Sequence, residues 1–287
     1  MTMDMARHLV ARSDAEELAD RLSGRVARRV DKLEASADLI DLAFSSALSA
    51  WWNHCLADPE AGRLETWQAT VAALQVGSAL FAVTGVEEGT VDCFIDGRMR
   101  SVPAMGRRTY ANADTWLSTL YLAMVCRDQE RIKRLCEIPL ERLRVQEGVY
   151  DEFLYAWIDV LQTYWLRRPD LLDKLEVAFA ASDPSAPHIA PPEVVDYLLY
   201  PPLHLFYLLL RKREDEFGPS LVKALEFHKS YWTSNEAWSS NTSAAVALGP
   251  LAVACHAFDG KFPLDVESPY LPKRLLDGAR VGEFPTR

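Results

Sequence analysis

The sequence predicts an all-α fold: an antiparallel helical array or bundle of about ten helices, with one small β-hairpin near residues 90–102. Three observations lead there. Apolar residues recur every three to four positions through most of the chain, the period of an amphipathic helix. One segment alone alternates as strands do, and it is split by Asp96-Gly97, a pair suited to the positive φ angles of a type I′ turn. The periodic segments follow one another across short turns, which makes neighbours antiparallel.

The first helix, about 14–34, is charged, and Ser13 followed by Glu16 has capping-box spacing. A second, about 36–57, carries a broad apolar face (Ala43, Ala47, Trp51, Cys55) and ends at Asp58-Pro59, because proline cannot continue the ladder. The third, about 63–84, uses Trp67, Val71, Leu74 and Phe81. The hairpin follows, and since two strands alone are marginal it must lie against the helices. Helices resume at about 112–126, 128–137 and 151–167. The last has a stripe from Phe153 through Trp157 and Leu161 to Trp165, which predicts the central helix of the core. Further helices are expected at about 170–181, 193–211 (bent or broken at Pro201-Pro202), 217–233 and 243–258. Residues 182–192 hold four prolines and form an internal loop. Its flanks share one helical character, so 1–287 reads as a single helical domain. No repeat of the roughly 34–45-residue classes stands out.

Composition narrows the function. Forty-one acids against thirty-one Lys+Arg give a formal charge of −10, the wrong sign for gripping phosphates, so no nucleic-acid partner is expected. That sign suits a basic partner. The five cysteines, Cys55, Cys93, Cys126, Cys136 and Cys255, include no C-x-x-C pair. With no apolar leader in residues 1–10, they lead to the expectation of a reducing cytoplasm. The longest apolar stretches, 198–210 and 244–258, are interrupted and short of the ~18–20 residues of a span, so no membrane is expected.

Catalytic chemistry finds no foothold. The residues three before the six histidines are Met5, Trp51, Ser185, Pro201, Leu225 and Val253. None is an acid, so di-metal carboxylate spacing is missing, and no Cys/His cluster has zinc spacing. No glycine-rich phosphate loop, dinucleotide fingerprint or nucleophile elbow is present. The expectation is a non-enzyme with no metal and no cofactor. Cys93, the one candidate nucleophile, is better explained as an inward-facing strand residue.

Binding candidates remain. Glu87, Glu88, Asp92 and Asp96 put four acids on or beside the hairpin, ahead of Arg98 and Arg100. Loops on a rigid scaffold often carry binding function; alternatively, cross-strand Asp–Arg pairing absorbs the charge and leaves a solvated turn. A second acidic edge is Glu147, Asp151 and Glu152. Trp238, in a polar run expected to be a loop, is either an exposed anchor or a ring folded back over the core. The competing reading is an enzyme or small-ligand site between helices near Tyr197, His204 and Tyr207.

Four stretches carry a resemblance. They are Arg63-Leu64-Glu65-Thr66-Trp67 running into Gln75-Val76-Gly77-Ser78; Val149-Tyr150-Asp151-Glu152 with Tyr155-Ala156-Trp157 and Leu161-Gln162-Thr163-Tyr164-Trp165; His228-Lys229-Ser230-Tyr231-Trp232-Thr233; and Tyr270-Leu271-Pro272-Lys273 with Gly282-Glu283-Phe284-Pro285. Together they resemble the immunity 49 family of bacterial polymorphic-toxin systems, common in actinomycetes, from about residue 20 to the C-terminus. The resemblance implies an all-helical immunity protein that binds and neutralises a cognate protein toxin. It carries no catalytic residues to transfer. A nuclease toxin would present a basic groove, which the net charge would suit.

Overall fold

The computed structural model describes residues 3–11, 13–144 and 149–284. Ten of its helices run eight residues or more, and short turns of helix fill the connections.

Helix α1 (Ala15–Val30) starts behind Asp14, one residue later than the Ser13 box implies. It also stops short of 34. Residues 31–35 tighten into three-residue turns, which drives Leu33 into the core and turns Asp31 and Glu34 toward the hairpin. Helix α2 (Ile40–Ala57) begins four residues later than expected and ends where Asp58-Pro59 put it, and α3 (Leu64–Thr84) follows as expected, then strands β2 (Thr90–Ile95) and β3 (Arg98–Pro103), and then α4 (Ala113–Val125) and α5 (Gln129–Cys136). Asn112 and Asp128 cap α4 and α5 with side-chain oxygens. The one-turn α6 (Leu140–Leu143) precedes α7 (Glu152–Trp165) and α8 (Leu171–Ala181).

Beyond the proline-rich loop, α9 (Pro192–Val194) runs into a π-helical segment, Val195–Leu199, and then α10 (Tyr200–Leu210). The break thus precedes Pro201-Pro202, which occupy the first turn of α10. Two prolines remove two amide donors, and Tyr200 instead donates five residues back to Val195. Helix α11 (Glu214–Thr233) opens three residues earlier than expected, with Glu214, Asp215 and Glu216 on its positive dipole end. Trp238 lies in one-turn α12 (Glu236–Ser239), not in a loop. After a 3₁₀ turn, Thr242–Ala245, come α13 (Leu248–Asp259) and α14 (Lys273–Leu276). The stretch Thr242–Asp259 is apolar enough over 18 residues to pass for a membrane span, contrary to the sequence reading, but most of it is buried inside the protein.

Helices α1, α2, α3 and α4 pack in succession; α13 then covers the other side of α4, α10 packs on α13, and α11 on α10. The central helix is therefore α4, with ten of thirteen residues buried, rather than α7, which sits on α4 and α5 with α8 outside it. Its Trp157 is still fully buried, donating to the Tyr121 hydroxyl at 2.7 Å. Buried apolar residues form one connected cluster from Val26 to Leu276.

A close helix crossing lies at Gly77 on α3. A Cβ there would lie 2.6 Å from Thr119 Oγ1 on α4 and 2.7 Å from Phe44 on α2. The glycine lets three helices approach where any side chain would hold them apart.

A second small sheet lay beyond sequence reading. Strand β1 (Met3–Asp4) pairs in parallel with β4 (Val266–Glu267). Behind it the Arg7 guanidinium donates to the carbonyls of Cys55 (3.1 Å) and Leu56 (3.0 Å), the last turn of α2, and to Ala245 O (3.3 Å). His8 Nδ1 meets the Tyr270 hydroxyl at 2.6 Å. His228 stacks edge-on against the same tyrosine and donates from Nε2 to Ala244 O at 3.0 Å.

Two predictions follow from this packing. Gly77→Ala should destabilise the protein by roughly 1–3 kcal/mol, the usual cost of overpacking. Gly24→Ala in α1, where a Cβ meets only Arg28 at 3.6 Å, should stabilise by up to about 1 kcal/mol through helix propensity. Equal shifts of the urea midpoint in the two variants would contradict the crossing. The second concerns pH. Burial lowers the pKa of His228 from 6.5 to about 4, so between those values the unfolded chain binds the extra proton and stability is lost as pH falls. His8, His54, His204 and His256 are lowered by burial as well and act with the same sign. Melting temperature should drop from pH 6.5 toward 4, and His228→Gln should flatten the slope.

Candidate functional site

The hairpin has the expected two-residue turn. Asp96 (φ 54°) and Gly97 (φ 75°) take the left-handed conformations a type I′ turn requires. The Asp96 amide donates to Gln75 Oε1 on α3 at 2.9 Å, fixing the turn to the helix beneath it. Pairing of Cys93 with Arg100 and Phe94 with Met99 sets the faces. Cys93, Ile95, Arg100 and Val102 turn inward and are buried. Asp92, Phe94, Met99 and Ser101 share the other face, where Met99 is half exposed.

This register sorts the charges. Arg100 is only 2% exposed, donating to Ile95 O and Val30 O and lying 3.0 Å from Asp31 and 3.6 Å from Glu34. Arg98 pairs with Glu34 at 2.6 Å. Both cations pair chiefly with the chain just after α1, and the Asp96–Arg100 contact within the hairpin, at 3.9 Å, is the longest of these pairs. Asp92 instead accepts from Ser101 at 2.5 Å. Glu87 has Arg142 at 3.9 Å and Asp96 has Arg100 at 3.9 Å, while Glu88 is exposed. A segment with four acids and two arginines turns its arginines toward α1 and leaves most of its acids exposed.

Two cavities flank the hairpin. A groove of about 390 Å³ runs between α3, α5 and β2, walled by Phe81, Phe94, Met99, Leu135 and Ile138. Arg131, paired with buried Asp128 at 2.5 Å, donates to Phe94 O at its end. Cys93 lines it, but burial pushes that thiol up to about 11, so it stays protonated and unreactive. On the other side of α3 a cleft of about 520 Å³ lies between α1, α2, α3 and the hairpin turn. Gly24, Ala27, Ala47, Ala50, Ala69 and Ala72 leave its space open. His54, 5% exposed, meets Ser23 Oγ at 2.8 Å through Nε2. Desolvation lowers the His54 pKa against the pull of Asp20, Glu65 and Asp58, so the ring is neutral at neutral pH.

The family model Immunity protein 49 matches residues 58–275, about three quarters of the chain. The chain belongs to this family. No curated protein and no solved structure matches the chain. The Immunity protein 49 match begins at the end of α2 and ends in α14, so it includes α3, the hairpin and the groove, while α1 lies before it.

Other sequence candidates fall elsewhere. Trp238 is 42% exposed but stacked on Tyr231 at 5.2 Å; it rests on α11, whereas the hairpin rests on α3. Tyr197 stacks on Phe227; His204 on Tyr200 and Tyr207 edge-on against Phe179 join one aromatic cluster through a Tyr200–Phe179 contact, and the cavities described above are lined by other residues. Of the second acidic edge, Glu147 lies outside the described residues. Asp151 is buried and accepts from the amides of Ile189 and Ala190, holding the proline-rich loop. Glu152 is held two-pronged by Arg144 at 2.6 and 2.7 Å. That edge is spent on the fold. Sequence reasoning passed over Phe94 and Met99, which strand alternation alone places beside Asp92. It also passed over Ser23, His54 and Gln75, for which no local signal exists.

Arg100→Ala should cost about 1–3 kcal/mol, because it strips donors from two buried carbonyls. Arg98→Ala, half exposed, should stay within about 0.5 kcal/mol. Urea melts in which the two variants shift alike would show that Arg100 does not lock the hairpin down.

Proposed function

We propose that the chain neutralises a cognate, basic protein toxin by docking the outer hairpin face onto it, as a binding protein rather than an enzyme. One observation carries the reading. The hairpin turns Arg98 and Arg100 onto Asp31 and Glu34 and leaves Glu87, Glu88, Asp92 and Asp96 around an apolar Phe94–Met99 pair. An apolar centre with a charged rim is how protein interfaces are built, and this rim has the sign that attracts a basic groove such as a nuclease's. Membership of the immunity family supports the same partner class. The setting this reading assigns is the bacterial cytoplasm, without nucleic acid or membrane as partner.

The test uses a toxin that co-purifies with this chain. Glu88→Lys with Asp92→Lys should slow association roughly tenfold at low salt, and the deficit should shrink as salt rises, since screening removes steering. Met99→Ala should act mainly on dissociation. A double variant that associates at the wild-type rate at low salt excludes the hairpin as the contact.

A further inference from the structure

Three elements converge on a basic pocket next to the groove. Arg107 and Arg108 come from the link between β3 and α4, Arg134 from α5 and Arg142 from α6, and all four line a space of about 220 Å³. Glu137 is its only acid among the described residues, and Lys133 stands 3.8 Å from that acid. The sign is opposite to that of the chain, which carries −10 overall. It also differs from both cavities flanking the hairpin. Acids without Lys or Arg line the cleft, and in the groove three acids meet two arginines.

The way the guanidinia are held is a second, independent observation. Arg107 donates to the carbonyls of Glu141 at 3.2 Å and Arg144 at 2.6 Å, and Arg142 to that of Thr84 at 3.1 Å. Arg108 donates to the Arg107 carbonyl at 3.1 Å. A carbonyl fixes a guanidinium in place without cancelling its charge. Glu87 stands off from Arg142 at 3.9 Å, and Arg134 has Glu130 at 2.9 Å; Arg107 and Arg108 make no ion pair among the described residues. Cations fixed in advance and left charged receive an anion with little reorganisation.

The pocket opens into the groove, since Phe81, Arg134 and Ile138 line both. Alone it falls below the ~300–1,000 Å³ of small-molecule sites, so it takes one charged group. The apolar groove, about 390 Å³, takes what that group is attached to.

We infer that the joined spaces receive a segment of the polypeptide partner in which an apolar side chain, filling the groove, is followed closely by a carboxylate seated among Arg107, Arg108 and Arg142. The inference rests on the reading of the chain as a toxin-binding protein, and it names an element that the chain recognises. Guanidinium forks match a carboxylate in paired bonds. Phe81, Phe94 and Met99 suit an aromatic ring. The groove reaches the outer hairpin face through Phe94 and Met99, so the contact is continuous with the one proposed there. Steering by the outer acids draws in any basic partner. A pocket that asks for one acid at a fixed place then separates partners that steering treats alike.

The experiment needs no toxin, so its failure is distinct from failure of the reading on which it rests. Isotope-labelled full-length protein is titrated with two acetylated peptides. Phenylalanyl-glycyl-aspartate amide carries its acid on a side chain, and phenylalanyl-glycyl-glycine carries it at the C-terminus. Saturable amide shifts at Ala79 and Ala82 in the groove and at Gly85 and Ala111 in the pocket are expected, and the tighter peptide identifies the source of the carboxylate. The asparagine counterpart, and a peptide with glycine in place of phenylalanine, should each bind at least about fivefold more weakly, from lost ion pairs and lost apolar burial respectively. Arg108→Gln, an exposed change, should shrink the preference for the acid while leaving the melting temperature in place. Absence of saturable shifts at those amides overturns the inference, as does equal affinity for either control peptide or an unchanged preference in Arg108→Gln. Inorganic phosphate shifting the same amides as tightly as the peptides overturns it too, since the pocket would then be a site for any anion. Failure of the hairpin variants to affect toxin association would instead count against the outer face alone.

Discussion

The close crossing at Gly77 is the constraint from which the rest follows. With no side chain in the way, α3 settles between Phe44 of α2 and Thr119 of α4, and both neighbours can use their small residues as contact surface. Protein interiors are packed too densely to take up an extra methyl by a general loosening. The height of α3 in the array is therefore set at one point, and the hairpin inherits it through the bond from Asp96 to Gln75. The groove and the cleft are the spaces on the two sides of that same helix. One glycine thus bears on the geometry of a surface anchored two residues away, at Gln75.

Burial decides the electrostatics as well. Arg100 would be costly to bury alone; it is tolerated because backbone carbonyls and two carboxylates surround it. Those carboxylates come from the three-residue turns after α1 that also carry Leu33 inward. The same turns that end α1 early therefore supply the counter-charges for buried Arg100 and half-exposed Arg98. The outward acidity is a by-product of core packing.

Legibility from sequence tracked how local the cause was. Asp96-Gly97 dictates its own turn from two residues, and the hairpin stands where the alternation put it. Most long helices begin and end within a residue or two of their periodic stretches. Pro201-Pro202 marked a break correctly in kind, but the π-helical response lies one turn upstream because the missing donors belong to carbonyls there. Ser13 failed as a cap although its spacing was right. The cleft was invisible because its walls are alanines and glycines on three helices, which read one at a time as ordinary core. Asp151 looked like free surface charge until the Ile189 and Ala190 amides, nearly forty residues on, were seen to claim it. The family resemblance was legible because its motifs are packing residues spread in order along the chain, and the match covers 58–275 of the stretch it was read over, leaving the Gly282–Pro285 motif outside.

The strap formed by β1 and Arg7 has a consequence for biosynthesis. Its partners are Glu267, Ser268 and Tyr270, and the Met5–Ser268 bond joins residues 263 positions apart. At roughly 5–20 residues per second of translation, the strap must wait about 13–50 s for its docking site to be made. Until then the carbonyls at the end of α2 lack their guanidinium, and the ring of His228 lacks the Tyr270 face it packs against. The strap is made well before the residues it docks on, and closing this loop joins segments 263 positions apart.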